Sequence, residues 1–405
     1  MSHIERLVAR VDAAHRRQFG IDPAIRAYAP GRVEILGNHT DYNEGFVLSA
    51  AIDAGIVFAL TPDEDRRAVV QAADIERCLA IALSPLRPVT RGRWSNYVRG
   101  VLNFLVPDAA ARRGFRATFG GDIPMGSGLS SSAALEISSG LALARRHGLD
   151  VPPLELARIG QQAEHRFAGV RCGLLDQITS LWGAEQSLVF TDFRTLAVRR
   201  VRMPAGAAFL VCHTGVKHAL VDSAYNERRE ACERAAAHFA RRLPHPVTHL
   251  RDVSTDEWAR EKDGLDPAAA RRAAHPIGEN ERVLEGVAAL ERGDPAAFGG
   301  LMSASHRSSR EHFENSCAEL DFVVETAQAA DGVWGARLSG GGFGGSAVAM
   351  VREDAAEAVG RRLASAYRER FGHEAGVQVV VPSAGARLLD DGPAVRAAGG
   401  RGGAT

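Results

Sequence analysis

The chain has 405 residues, with 49 Lys+Arg against 49 Asp+Glu, so it offers no basic field for nucleic acid or an anionic membrane surface. Its 45% hydrophobic and 24% charged content is that of a globular protein in water, with one large or two medium domains. Five scattered cysteines without a C-x-x-C pair argue against a disulfide framework or structural zinc, and residues 1–17 lack an apolar leader, so a cytoplasmic location is expected.

Residues 2–19 place Ile4, Leu7, Val8, Val11 and Ala14 at helical spacing. Pro23, Pro30 and Gly31 then interrupt the pattern, and 33–36 and 45–48 read as strands around a turn at 38–44. Further short strands are expected at 56–60, 68–71 and 79–83. A helix follows Trp94, with Tyr97, Val101, Leu102 and Leu105 on one face. Strand 115–119 leads into a small-residue loop at 120–132 and a helix through Ala144. A second helix carries Leu154, Ile159, Ala163 and Phe167 until Gly169 and Gly173 interrupt it. Beyond it, 188–190, 198–203 and 208–213 read as strands, and 219–241 as a long arginine-rich helix. Helices at 280–291, 313–329 and 354–371 and strands at 333–338, 347–351 and 377–381 complete the pattern. Strands and helices mix without regular βαβ alternation, which predicts an α+β fold. A boundary near 190–205 gives domains 1–200 and 201–389, and the Gly/Ala/Arg-rich tail 390–405 is expected to be disordered.

The only lysines are Lys217 and Lys262, and neither follows a glycine-rich loop. The G-x-x-x-x-G-K-[ST] phosphate loop is therefore absent, and ATP would have to be held without a loop lysine. Two other segments are suited to anions. Gly126, Ser127 and Gly128 have little side chain to block a phosphate, and Leu129 leads to Ser130, Ser131 and Ser132 at a helix start, where free N–H groups attract negative charge. A plain serine N-cap would account for the serines alone. The second segment packs five glycines into the six positions 340–345 between two strands, more than a hairpin needs, so a ligand or another backbone is expected to approach closely. Near the N-terminus, Asn38, His39 and Asp41 supply the mixture of donors and acceptors that sugar hydroxyls require.

These segments, 32–41, 121–134 and 339–345, resemble in order and spacing the three motifs of the GHMP kinases, and specifically of the galactokinases. Trp94-Ser-Asn-Tyr-Val-Arg-Gly-Val, Ala163-Glu-His-Arg-Phe-Ala-Gly, Cys172-Gly-Leu-Leu-Asp-Gln, Tyr225-Asn-Glu-Arg-Arg, Glu279-Asn-Glu-Arg-Val and Glu314-Asn-Ser-Cys-Ala-Glu-Leu-Asp extend the match across about residues 20–382. The resemblance implies a two-domain α+β fold with its site in the inter-domain cleft, and transfer of the γ-phosphoryl group of ATP to a sugar C1 hydroxyl. It implies that Asp176 accepts the hydroxyl proton and that Arg32 beside it stabilises its anion. Ser132 and Glu164 match the Mg²⁺ pair, Gly126 to Ser132 the phosphate loop, and Trp94 the adenine pocket. Asn38, His39, Thr40, Asp41, Gly173 and Tyr225 match the sugar contacts. A monomer acting on a small-molecule sugar and ATP is expected.

Asn38 departs from the pattern, since galactokinases usually carry glutamate there to accept from the sugar C6 hydroxyl. A neutral amide should weaken that contact by ~1–2 kcal/mol and remove the repulsion toward a C6 carboxylate. Galactose is the first expectation, with galacturonate, fucose or N-acetylgalactosamine as alternatives. A non-catalytic sugar sensor is the other class, but such relatives lack residues after the serines of the second motif. Here that motif is full length and Arg32, Glu164 and Asp176 are present. Ser49 and Ser346 replace proline and cysteine and are expected to touch no role.

Overall fold

The computed structural model describes residues 1–65, 67–124, 126–170, 172–217 and 221–389; the expected disorder from 390 lies outside them. Helix α1 (His3–Phe19) is fixed by a reciprocal Ser2–Glu5 cap and closed by Gly20 at φ 72°. Strand β1 (Ile25–Leu36) is buried from Ala27 onward and pairs antiparallel with β2 (Phe46–Asp63). Pro30 and Gly31 lie inside β1 rather than interrupting it. The ladder shifts register between Pro30 and Arg32, where a missing N–H is tolerated. Gly31 is needed because a Cβ there would sit 2.6 Å from the carbonyl of Leu129, so the loop before the serine-rich helix can rest directly on the strand. The strands expected at 45–48 and 56–60 are two ends of the single strand β2.

Next come β3 (Ala68–Ala72), β4 (Arg77–Ile81), α2 (Ser95–Leu105), β5 (Gly114–Gly121), α3 (Ser131–His147), α4 (Pro153–Ala163), α5 (Leu175–Trp182), β6 (Ser187–Asp192) and β7 (Ala197–Arg202). The larger sheet runs β4-β3-β5-β2-β1, with β6 and β7 continuing from β2. Helix α3 packs on β1 and β2, and α2 and α4 pack with it. Then follow β8 (Ala207–Lys217), α6 (Val221–Arg242), α7 (Thr255–Glu261), α8 (Pro267–Glu291), α9 (Pro295–Ser308), α10 (Ala318–Gln328), β9 (Val333–Ser339), β10 (Gly344–Arg352), α11 (Ala356–Phe371), β11 (Gly376–Val380) and β12 (Arg387–Leu388). The second sheet runs β11-β8-β10-β9, while β12 returns to the first and pairs with β1.

Three helices escape the sequence pattern. Helix α5 has no side-chain cap to announce it. Helix α7 is short, and α9 begins with Asp294 and Pro295, a cap and first-turn pair that the apolar spacing hides. Helix α8 starts thirteen residues before the expected 280 and runs through Pro276. The main core continues from the larger sheet into Val348 and Met350 of β10, while the other face of the second sheet packs a separate core with α10 and α11. Among the described residues no helix is long and apolar enough to cross a membrane.

Candidate active site

Two cavities lie on either side of the loop 126–132. The first, about 380 Å³, is polar, and its walls include Arg32, Asn38, His39, Asp41, Gly173, Asp176 and Tyr225. The second, about 280 Å³, is lined by Ile75, Trp94, Tyr97, Phe119 and Leu135, with Ser131 and Ser132 at one edge. Trp94 packs on Phe119 with ring centroids 5.4 Å apart.

Asp176 stands in the first turn of α5, and Arg32 reaches it from β1. Arg32 donates to Asp176 Oδ1 through Nε (2.8 Å) and Nη2 (2.7 Å), and through Nη1 to the Gly128 carbonyl (2.6 Å). Ser130, expected at the phosphate loop, turns its hydroxyl onto Asp176 Oδ2 as a hydrogen-bond donor. Its φ of 61° is left-handed, an unusual backbone for serine. Gly126 (φ 76°) and Gly128 (φ 73°) are exposed and have open space where a Cβ would be. Between and after them, Ser127 and Leu129 are buried anchors. Ser127 donates to the Pro124 carbonyl (2.7 Å), and Leu129 accepts from the Arg32 backbone N–H (3.1 Å). Ser346 has a role after all, since its hydroxyl donates to the Ser127 carbonyl at 2.6 Å and braces the loop from β10.

Ser132 and the Cys172 thiol both hydrogen-bond the Glu164 carboxyl. Glu164 begins a π-helical turn at the end of α4. Burial pushes its carboxyl upward, as does the nearby Asp176. Behind it, Glu136 is wholly buried, accepts from Gln177 through one oxygen (2.9 Å) and leaves the other without a partner among the described residues. Burial and the Glu164 charge raise its carboxyl well above the usual range, which favours its neutral form.

The sugar-loop residues divide. His39 is held by the Tyr42 hydroxyl on Nδ1 (2.9 Å) and the Gly341 carbonyl on Nε2 (3.2 Å). Burial lowers its pKa to about 3, so the ring is neutral, with Nε2–H donating. It packs against Tyr225 of α6 at 5.2 Å. Burial raises Asp41 to about 6, and Gly173 is required beside it because a Cβ would collide with that carboxylate. Thr40 does not face the cavity, since its hydroxyl is spent on the Gly37 and Phe46 carbonyls, both at 2.7 Å. Asn38 lines the cavity but is bonded on all sides by protein, to Glu34, Gly340 and Asn315.

Two residues were seen only as part of the family pattern, without a role. Glu279 of α8 is fully buried and accepts from the backbone N–H groups of Gly37 (3.0 Å) and Asn38 (3.3 Å), from Ser305 (2.6 Å) and from Arg282 Nε (2.7 Å). Burial alone would raise its carboxyl, but Arg282 and Arg337 outweigh it and hold it well below the usual range. Asn226 joins Tyr225 on the cavity wall.

A polar and an apolar cavity joined by a glycine-serine loop at a helix start define a small-molecule kinase of the GHMP class. The models of the GHMP kinases N terminal domain and GHMP kinases C terminal match residues 96–184 and 287–369. The galactokinase galactose-binding signature matches 13–62. Galactokinases of Roseiflexus sp. (strain RS-1) and Haemophilus influenzae (strain KW20) are 38% and 39% identical, over 93% and 91% of this chain and 96% and 95% of theirs. This chain belongs to the galactokinase family. Lactococcus lactis galactokinase, crystallised with galactose, superposes with a TM-score of 0.87 at 32% identity, covering 93% of this chain and 98% of that one. A mevalonate kinase at 16% identity and a TM-score of 0.59 shares the fold alone. The α+β reading and the galactokinase resemblance both hold.

Proposed function

We propose that this chain transfers the γ-phosphoryl group of ATP to the C1 hydroxyl of galactose, with Asp176 accepting the hydroxyl proton and Arg32 holding Asp176. The observation that carries the reading is the position of Arg32, whose guanidinium ties the carboxylate of the polar cavity to the backbone of the phosphate loop. A carboxylate has about four lone-pair sites. Three here are taken, two by Arg32 and one by Ser130, which leaves one on Oδ2 for an incoming hydroxyl. Phosphoryl transfer asks for positioning and charge stabilisation more than covalent chemistry, and Arg32 supplies both.

Adenine fits the apolar cavity beside Trp94, and the phosphates lie along Gly126 to Ser132, where the N-terminal N–H groups of α3 stand in for the absent loop lysine. Ser132 and Glu164 would hold Mg²⁺, which when bound would offset the negative charge of the phosphates. The donor set fits, because the buried Glu164 carboxylate lies near Asp176 and has a hydroxyl next to it. Magnesium normally takes one or two carboxylates and completes its shell with phosphate and water. His39, Asp41 and Tyr225 face the sugar.

The test is galactose-dependent ADP release with MgATP. Turnover by the wild type is expected, and Asp176→Asn should lower kcat by about 10²–10⁴-fold with galactose still bound. Wild-type protein that binds galactose without releasing ADP would refute catalysis and leave a sensor.

A further inference from the structure

Glu34 sits on β1 two residues after Arg32 and lines the same cavity, yet no motif singled it out. Its neighbour Asn38 is 1% exposed and fully engaged with protein. The Asn38 amide donates to Glu34 Oε1 (2.9 Å) and to the Gly340 carbonyl (2.6 Å), and its oxygen accepts from Asn315 (3.0 Å). Both amide donors are therefore spent.

Glu34 is different. Oε1 accepts from Asn38 and from Arg337 Nη1 (3.1 Å), while no hydrogen bond reaches Oε2 from any described residue. The 4% of Glu34 that remains exposed faces the cavity. An uncommitted carboxylate oxygen at a largely dry wall calls for a donor from whatever fills the space. We propose that Glu34 is a specificity-determining residue: Oε2 accepts a hydroxyl of the bound sugar, and its charge excludes acidic sugars. The inference rests on the kinase reading above and deepens it.

Burial raises the Glu34 carboxyl, and Arg337, Arg32 and the Asn38 amide oppose that rise and favour its anion. Arg337 of β9 is wholly buried, and Glu34 is its one carboxylate partner among the described residues. Arg337 Nε and Nη2 have no partner among the described residues, so the guanidinium depends on Glu34 and on the Ile35 carbonyl (3.1 Å). A buried cation this poorly solvated fixes an anion beside it. Along an extended strand, two residues advance about 7 Å. That is near the breadth of a pyranose ring, so a sugar with its reacting hydroxyl at Asp176 presents another hydroxyl to Glu34. The negative charge missing at Asn38 is thus supplied four residues earlier, and a sugar carboxylate would meet repulsion with no donor of its own to offer.

Steady-state ADP release on galactose, on its 2-, 3-, 4- and 6-deoxy analogues and on galacturonate, for wild type and Glu34→Gln, tests the idea. The variant should lose about 10–100-fold in kcat/KM on galactose. On the one analogue lacking the hydroxyl that Glu34 holds, it should lose nothing further. The preference for galactose over galacturonate should narrow by about tenfold. An equal loss on galactose and every deoxy analogue would overturn the proposal, as would a wild type that uses galacturonate as well as galactose. Failure of the wild type on galactose itself would instead sink the kinase reading. Because Glu34→Gln takes from Arg337 the carboxylate in direct contact with it and could cost folding, Glu34→Asn combined with Asn38→Glu is the second variant. It moves the carboxylate across the Glu34–Asn38 hydrogen bond within the same cavity and should discriminate against galacturonate as wild type does. If it admits galacturonate as readily as galactose, the cavity charge does not set specificity.

Discussion

Glu279→Gln removes one charge and leaves the shape of the side chain intact. In the wild type, Oε1 takes Gly37 N, Asn38 N and Ser305 Oγ, and Oε2 takes Arg282 Nε. A glutamine oxygen can keep the first three, but its NH₂ then points at the guanidinium. One charge-assisted bond is lost, worth about 1.5–3 kcal/mol, and two backbone bonds weaken to neutral strength. Breaking a buried pair costs about 3–5 kcal/mol. Arg282 has 17% of its side chain exposed and can turn toward water, which sets the expectation at the low end, about 3 kcal/mol. Urea titration should show the midpoint falling at constant m. The folded carboxyl lies below its unfolded value, so this stabilisation is fully present above about pH 4 and fades as acid protonates the group. The penalty should therefore shrink below about pH 4. Because Gly37 and Asn38 form the entry to the sugar loop, kcat/KM for galactose should fall about tenfold while KM for ATP holds. A variant within about 1 kcal/mol of wild type, with an unchanged galactose KM, would refute the view that α8 positions the sugar loop.

Asp41 carries the opposite sign. Burial lifts its carboxyl to about 6 from the usual 3.8, so the folded state binds the proton more tightly and stability falls as pH rises between those values. Asp41→Asn should remove that decline and raise stability at pH 7.5 by about 3 kcal/mol, at the expense of sugar affinity. The difference between the two pH–stability curves checks this, and a flat difference would contradict it. Trp94→Ala should raise KM for ATP about tenfold, by removing the ring packed on Phe119, and leave KM for galactose unchanged. An effect on galactose alone would assign the second cavity to the sugar.

What was legible in the sequence was local. Glycine and serine punctuation located the phosphate loop, and strand periodicity located most of both sheets, because backbone freedom and side-chain alternation are written residue by residue. Asp176 had no such signal. Helix α5 follows Leu174, whose side chain cannot cap it, and the aspartate gained meaning only from its family pattern. Glu34 looked like an ordinary strand residue because its importance comes from Arg337, three hundred positions away, and from what Asn38 is already bonded to. Pro276 concealed the first half of α8, where tertiary packing overrides a local breaker. Ser346 could be read as inconsequential only while the carbonyl of Ser127 was unseen.

The buried pair of Glu34 and Arg337 spans 303 residues of chain. At about 5–20 residues per second, a ribosome takes roughly 15–60 s to cover that distance. From the synthesis of Asp176 until that of Arg337, the nascent chain carries Arg32, the phosphate loop and Asp176, yet the wall of its sugar cavity holds a carboxylate whose counter-charge has not been made. The ion pair can therefore form only in a chain made to residue 337 or beyond. The wall of the sugar cavity is thus among the last parts of the site to be assembled.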